Sequence, residues 1–245
     1  MLESKVIIYD DSCPMCKLYT YWFVAWGFLA PENRIGFATA PAEITSHVDL
    51  NRGRHEIPLF DRTTKETIYG LAALSHVLGS RWTWLKPFFE SRVFMWMFYP
   101  LYQIITYNRR VIAGCKACSG FACAPDLNRF YRTVYLLIAG ATVYLIGSLL
   151  ATNGGDSATC DPLNAAVWFM IAFAIVGLVV AVVLSVTTRA AATWDYLGNH
   201  ATSLVIVALM LIPMLVWPGM PAGVAWVNVL TAVLLGLEEV RRRNS

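Results

Sequence analysis

The fold of the N-terminal half is decided by one stretch, Lys5-Val-Ile-Ile-Tyr-Asp10-Asp11-Ser12-Cys13-Pro14-Met15-Cys16. After Lys5, its next four residues form a continuous apolar run of the kind found in buried β-strands. The polar residues that follow favour a helix N-cap, and Pro14 suits a first helical turn because its missing N–H would be unpaired there in any case. The stretch therefore predicts a strand that leads directly into a helix carrying Cys-x-x-Cys in its first turn.

The residues that follow continue the pattern of alternating strands and helices. We expect the first helix to run to about Leu29, where Pro31 ends it, and the second strand to occupy Ile35–Ala40. Residues 41–50 suit a short helix or a loop. Residues 57–61 and 66–70 suit two strands separated by a polar turn and predict a hairpin, followed by a helix over Leu71–Leu78. The predicted order is β-α-β-α-β-β-α.

This order resembles the thioredoxin fold at two independent points. Cys-x-x-Cys stands at the start of the first helix, and Pro58 opens the third strand. In the thioredoxin fold that proline is cis and faces the cysteine pair, so the resemblance implies the same of Pro58. A Cys-x-x-Cys motif in a βαβ context is typical of redox chemistry.

A narrower resemblance is to the DCC family of thiol-disulfide oxidoreductases. Asp10-x-x-Cys13-x-x-Cys16 resembles the signature for which the family is named, and Gly70-Leu-Ala-Ala73 resembles its Gly-x-x-Ala helix start. Tyr107-Asn-Arg-Arg110, followed by Cys115, resembles its Asn-Arg stretch. The resemblance covers about the first 130 residues and departs where the family usually has Asp-Gly and this chain has Asp10-Asp11. It implies thiol-disulfide exchange.

The first two cysteines suit distinct roles in such an exchange. Cys13, at an exposed helix start, would be a nucleophile with a lowered pKa, because the helix N-terminus stabilises a thiolate. Cys16 would be the resolving thiol. Asp10 would accept its proton or raise both pKa values by its charge, and Pro58 would shape the floor of the site. Half of a zinc site, or two structural thiols, are the alternatives.

A second group of cysteines precedes the membrane half. Cys115, Cys118 and Cys123 have metal-like spacing, and Cys13 and Cys16 would be able to complete a thiolate site with them. A local disulfide, or transfer of reducing equivalents to the first pair, is equally open. Cys160 stands alone, as a partner for another chain or as an inert thiol. No cofactor is predicted beyond a redox-active disulfide, with a metal as the alternative.

The composition indicates a membrane protein. Hydrophobic residues make up 57% of the 245 residues, charged residues 14%, and the mean hydropathy is +0.53. From Thr133 to Leu237 the charged residues are only Asp156, Asp161, Arg189 and Asp195. We expect a soluble-like α/β domain over residues 1–130 and a helical membrane domain over 131–245. Four uncharged runs approach the roughly 20 residues that a spanning helix needs: Tyr131–Ala151, Ala165–Thr187, Ala201–Trp217 and Ala222–Leu237. Within the third run, Pro213 predicts a kink.

Basic residues predict the orientation of these spans. Arg129 and Arg132 precede the first run, Arg189 lies between the second and third, and Arg241–Arg243 follow the fourth. By the positive-inside rule both termini and the first domain would be cytoplasmic, in a multi-pass cell (inner) membrane protein. The N-terminus carries no apolar signal segment.

Two functions compete on these observations. The first is a membrane-anchored thiol-disulfide oxidoreductase that reduces a protein disulfide. The second is a non-catalytic subunit of a larger membrane complex, with the first domain as a docking module, and a thiolate metal site is a third. The expected partners are membrane lipid and a protein disulfide or a complex. The low charge predicts no binding to nucleic acid. Val93–Tyr107 is uncharged and suits either an interfacial helix or a buried domain helix.

Overall fold

The computed structural model describes residues 2, 4–114, 125–153, 162–187, 190–217 and 221–244. The chain divides into two compact units, Met1–Tyr131 and Arg132–Ser245.

A four-stranded mixed sheet forms the centre of the first unit. Its strands are β1 (Lys5–Tyr9), β2 (Arg34–Gly36), β3 (Pro58–Asp61) and β4 (Thr67–Tyr69), in the spatial order β2-β1-β3-β4. β1 pairs in parallel with β2 and antiparallel with β3, which pairs antiparallel with β4. The central strand β1 is therefore covered on both edges, and its middle residues Val6, Ile7 and Ile8 are fully buried.

Helices lie along the chain between and after these strands. They are α1 (Pro14–Ala25), α2 (Ala42–Thr45), α3 (Leu50–Gly53), α4 (Gly70–Arg81), α5 (Lys86–Phe89) and α6 (Arg92–Ala113). Alternate residues of β1 face two separate cores, because successive side chains of a strand point to opposite faces. Ile7 packs in a cluster with Phe28 and Val77, whereas Val6 and Ile8 pack with Phe60 and others. Burial of each large apolar side chain contributes about 1.5–3 kcal/mol.

The first helix ends earlier than its sequence predicts, at Ala25 rather than near Leu29. Gly27 takes a left-handed φ of 72°, and the N–H of Phe28 donates to the carbonyl of Phe23 at 2.8 Å, as in a Schellman cap. Phe28 and Leu29 therefore turn back into the core, where both are buried. The prediction was wrong because apolar residues beyond a glycine cap resemble a continuing helix.

The second strand is also shorter than predicted, and a 3-10 turn over Phe37–Thr39 replaces its end. Asp11 causes this turn, because one of its carboxylate oxygens accepts a hydrogen bond from the N–H of Ala38 at 2.7 Å. The same carboxylate lies where a Cβ on residue 36 would stand, so a side chain at residue 36 would have to displace Asp11. Asp11 thus joins the ends of the two parallel strands.

The second unit is helical. α7 (Arg129–Asn153) leads into it, and α8 (Pro162–Thr187), α9 (Ala190–Met210), α10 (Ile212–Val216) and α11 (Ala222–Asn244) follow. Among the described residues three helical segments are long and apolar enough to cross a membrane, Arg129–Thr152, Asn164–Thr187 and Ala190–Val216. These segments indicate a membrane protein. The fourth predicted span lies in α11, whose uncharged part ends before Glu238, and it stays a prediction.

Polar contacts join the helices of this unit. Arg132 of α7 forms an ion pair with Asp195 of α9 at 3.2 Å. The ring of His200 lies against Gly177, where a Cβ would overlap it, and shares a 3.0 Å hydrogen bond with the carbonyl of Phe173. At Pro213 the helix breaks between α9 and α10 instead of only kinking, because proline lacks the N–H that would continue the hydrogen bonding.

Candidate functional site

Cys13 caps the first helix. Its backbone is extended, and its sulfur accepts a hydrogen bond from the N–H of Cys16 at 3.4 Å. Its own N–H donates to the carbonyl of Asp10 at 3.2 Å, which closes the short turn between β1 and α1. Because β1 is a central strand, the two cysteines lie at the carboxyl end of the sheet's middle, at a helix N-terminus that favours negative charge.

Both cysteines are free thiols, and both are buried. Cys13 has 0% of its surface exposed, although the sequence predicts it at an exposed helix start. The expectation of an exposed nucleophile is therefore wrong for this conformation. The sequence correctly indicates the helix start, but the burial of Cys13 depends on elements that are distant along the chain.

One such distant element is α6, which brings Arg109 to the cysteines. One nitrogen of its guanidinium donates to the sulfur of Cys16 at 3.9 Å, and another donates to the carbonyl of Arg54 at 2.8 Å. The second nitrogen also lies 3.5 Å from a carboxylate oxygen of Asp10. The Arg109 side chain is buried, so the site holds a cation that little water screens. Arg109 belongs to the Asn-Arg stretch of the family resemblance, but no local sequence pattern assigns it to the site.

The other groups around Arg109 explain its pKa. Burial would lower the pKa of the guanidinium, but its electrostatic interactions with Cys16, Asp10 and Cys13 raise that pKa above its usual value. Arg109 therefore stays cationic and offsets whichever sulfur or carboxylate is ionised.

Asp10 is held at both carboxylate oxygens. One accepts hydrogen bonds from the N–H and hydroxyl of Ser12, at 2.9 and 2.6 Å, and the other faces Arg109. Of the two roles predicted for Asp10, a charge effect on the cysteines fits this geometry, because the carboxylate is one of the groups that raise the pKa of Cys16. No described hydrogen bond joins the Asp10 carboxylate to Cys16.

The pKa of Cys16 is raised well above its usual value. The hydrogen bond with Cys13 is the largest cause, followed by burial and by the charge of Cys13, while Arg109 lowers it. Cys16 thus keeps its proton to high pH as long as Cys13 carries the negative charge. The arrangement suits a pair in which one sulfur is a thiolate and the other a thiol.

Two tyrosines line the same region and stay neutral. Burial raises the pKa of Tyr19, and the neighbouring Cys16 and Tyr102 raise it further. Burial also raises the pKa of Tyr102 to about 12, and its hydroxyl accepts a hydrogen bond from the N–H of Ile57 at 3.4 Å. Both phenols therefore stay protonated at neutral pH.

Pro58 begins β3 and is buried. It pairs in the sheet with Tyr69, next to Ile57, whose N–H contacts Tyr102. The described residues contain no cis peptide bond, so the Ile57–Pro58 bond is trans and the implied cis geometry is wrong.

The position of Arg109 depends on how α6 is anchored. Asn108 is fully buried, and its amide donates to the carbonyls of Ile104 and Tyr131 at 2.8 and 3.0 Å. The rings of Tyr107 and Tyr131 stack at a centroid distance of 4.9 Å. These contacts attach the end of α6 to Tyr131, in the first turn of α7, and they hold the adjacent arginine in place.

The predicted metal alternative lies mostly outside what is described. Cys115, Cys118 and Cys123, like Cys160, are not among the described residues. Within the described ranges no group of three or more His, Cys, Asp or Glu side chains suits a metal ion. Cys13 and Cys16 supply two thiolate ligands, half of a tetrahedral site.

Comparisons of the chain with protein-family models, with curated proteins and with solved structures found no match.

Proposed function

We propose that the protein is a membrane-anchored thiol-disulfide oxidoreductase that uses Cys13 and Cys16. The observation that carries the proposal is a free dithiol at a helix N-terminus, with the buried guanidinium of Arg109 against the sulfur of Cys16. A helix N-terminus and a nearby cation are the two features that make a cysteine reactive. A purely structural pair of buried thiols has no need of a buried cation.

The architecture around the pair supports a thioredoxin-like domain of the DCC type. The parallel unit β1-α1-β2, followed by the antiparallel hairpin β3-β4 and the helix α4, follows the order that the sequence resembles. The cysteine pair follows β1, as that resemblance requires. The trans bond before Pro58 and the buried Cys13 depart from it.

The exchange would transfer two electrons from the dithiol to a disulfide. The Cys13 thiolate attacks one sulfur of the substrate, a mixed disulfide forms, and the first substrate thiolate leaves and takes up a proton. Cys16 then loses its proton and attacks Cys13, so that the second substrate thiolate leaves and a Cys13–Cys16 disulfide remains. Arg109 favours this second step, because its charge lowers the pKa of Cys16. A thiol reductant of the cytoplasm would regenerate the dithiol.

Burial imposes a condition on this chemistry. Because Cys13 has no exposed surface, a protein disulfide reaches it only after a local opening of the site. Such an opening controls the rate of reaction with bulky disulfides more than with small ones. We therefore expect the protein to react slowly with large disulfide substrates and faster with small ones.

The membrane half is proposed to hold this domain at the cytoplasmic face through four spans. The three apolar segments support the membrane location, and α11 would be the fourth span. The cytoplasmic orientation rests on the positions of Arg129, Arg132, Arg189 and Arg241–Arg243.

A second candidate function is that of a docking subunit without catalysis. The complete burial of Cys13 favours it, as do the many exposed aromatic side chains of the first unit, among them Trp84 and Trp96. Interface energy concentrates in such aromatic anchors. Under this alternative the two thiols are core residues.

An assay of disulfide reduction by the full chain in detergent separates these functions. The pre-reduced protein is mixed with a small aromatic disulfide, and the released thiol is counted with and without a thiol reductant. We expect turnover by the wild type, none by Cys13→Ser, and a trapped mixed disulfide in Cys16→Ser. Met15→Leu, in the same helical turn, leaves both thiols intact and is the matched control. Wild-type protein in which Cys13 and Cys16 are both shown to be reduced, yet which gives no turnover, would contradict the enzyme.

A further inference from the structure

The first half of α6 exposes a broad apolar face. Val93 is 71% exposed and Trp96 81%, and Met97, Tyr99 and Leu101 are exposed beside them. At 3.6 residues per turn these side chains cover about 200° of the helix circumference, while Phe94, next to that arc, is buried. Both interpretations of this segment therefore apply in part, because Phe94 is buried in the domain while Val93, Trp96 and Met97 are exposed.

The apolar surface continues into the preceding segment. Phe88 of α5 is exposed, and its ring lies 5.2 Å from that of Phe94 at the start of α6. Trp84, just before α5, is 78% exposed. Contiguous apolar surface of this kind marks an interaction site, because soluble proteins seldom leave it bare. We call the set the aromatic face, and it comprises Trp84, Phe88, Val93, Trp96, Met97, Tyr99 and Leu101.

The charges around the aromatic face are mainly positive. Between residues 81 and 107 the basic residues are Arg81, Lys86 and Arg92, and Glu90 is the only acid. All three basic residues are exposed. Cations that border an apolar, tryptophan-bearing helix complement anionic lipid headgroups.

We propose that the aromatic face inserts into the headgroup region of an anionic bilayer. Trp and Tyr prefer this depth, because their rings are apolar and their N–H or O–H reaches water. The same chain carries three segments able to span a membrane, so a bilayer is always at high effective concentration for this face. A soluble partner protein would have no such tether. The inference does not depend on the redox chemistry of the cysteines.

Site-specific photocrosslinking tests the insertion. A benzophenone amino acid replaces Trp96 in the full chain, which is reconstituted in vesicles of zwitterionic lipid with an anionic phospholipid and then irradiated. Adducts are identified by their mass. The same amino acid at Thr64, exposed in the β3–β4 turn, is the negative control, and at Val179, exposed on α8, it is the positive control.

The proposal predicts phospholipid adducts at residue 96, about tenfold more than at residue 64 and comparable with residue 179. Adducts to a second copy of the protein at residue 96, or no adduct there while residue 179 reacts, would overturn it. Replacing the anionic lipid by a zwitterionic one is expected to lower the yield at residue 96. An unchanged yield would overturn the role given to Arg81, Lys86 and Arg92.

Discussion

The guanidinium of Arg109 lies 3.9 Å from the sulfur of Cys16, although 93 residues separate them along the chain. The same guanidinium lies 3.5 Å from the carboxylate of Asp10. One buried cation thus lies beside two acidic groups. It stabilises the Cys16 thiolate when Cys16 loses its proton. This relationship links α6 to the chemistry proposed for α1.

Replacing Arg109 by Gln is expected to slow the resolution of a mixed disulfide. The cation lowers the pKa of Cys16, so that pKa rises when Arg109 is replaced. Each unit of that rise means about tenfold less Cys16 thiolate for the second attack. The measurement is the lifetime of the Cys13 mixed disulfide, by acid quenching and mass spectrometry. Arg110→Gln, an exposed neighbour on the same helix, is the control. Equal lifetimes in the two variants would refute the role of Arg109.

The raised pKa of Cys16 predicts unequal alkylation. A thiol whose pKa is raised stays protonated to higher pH, so Cys16 reacts slowly near neutral pH and faster only in strong alkali. Cys13, at the helix N-terminus, is expected to react first once the site opens, with a pKa below the free value of about 8.5. Rates are read from peptide masses between pH 6 and 10. Equal rates for the two cysteines in the folded protein would count against catalysis.

The same shift gives stability a pH dependence of definite sign. Since the folded protein keeps Cys16 protonated, the stabilisation is fully present below the unfolded thiol pKa of about 8.5 and declines as the pH rises above it. The unfolding temperature in detergent is expected to fall from pH 8 to 10 more steeply in the wild type than in Cys16→Ser. Parallel curves for the two proteins would contradict this assignment.

Gly36→Ala tests the contact between the ends of the two parallel strands. The added methyl group overlaps the carboxylate of Asp11, and overpacking of this kind costs about 1–3 kcal/mol. Asp11→Ala alone loses one hydrogen bond to Ala38, about 1 kcal/mol. The double variant is expected to be more stable than the sum of the two losses predicts. Without the Asp11 carboxylate, the methyl group at residue 36 has nothing to overlap. Additive losses in thermal unfolding would exclude the overlap.

The sequence predicts the strand and helix that carry the cysteines better than it predicts the elements that bury them. β1, the start of α1 and the β3–β4 hairpin are found close to where local patterns place them, because turn residues and apolar periodicity act over a few positions. The end of α1 and the length of β2 were wrong, since a glycine cap and the Asp11 hydrogen bond decide them. Arg109 could not be assigned because its role depends on the packing of α6.

Topology is tested by labelling. With reporters at the N-terminus, at residues 188–189 and at the C-terminus, we expect a cytoplasmic location for all three, and Cys160 should react with an impermeant thiol reagent from outside. The Cys160→Ser variant shows which labelling belongs to that thiol. Labelling of Cys13 from outside would reverse the proposed orientation.

The central claim is that Cys13 and Cys16 exchange between dithiol and disulfide. The most direct measurement equilibrates the full chain in detergent with dithiothreitol buffers of graded redox potential, blocks free thiols and identifies the linked peptides by mass. The account predicts a reversible Cys13–Cys16 disulfide with a single midpoint, unchanged in Met15→Leu and absent from Cys16→Ser. Two results would contradict the account. In one, the pair stays dithiol at every potential, even when partial unfolding exposes both thiols. In the other, Cys13 and Cys16 form disulfides only with other cysteines.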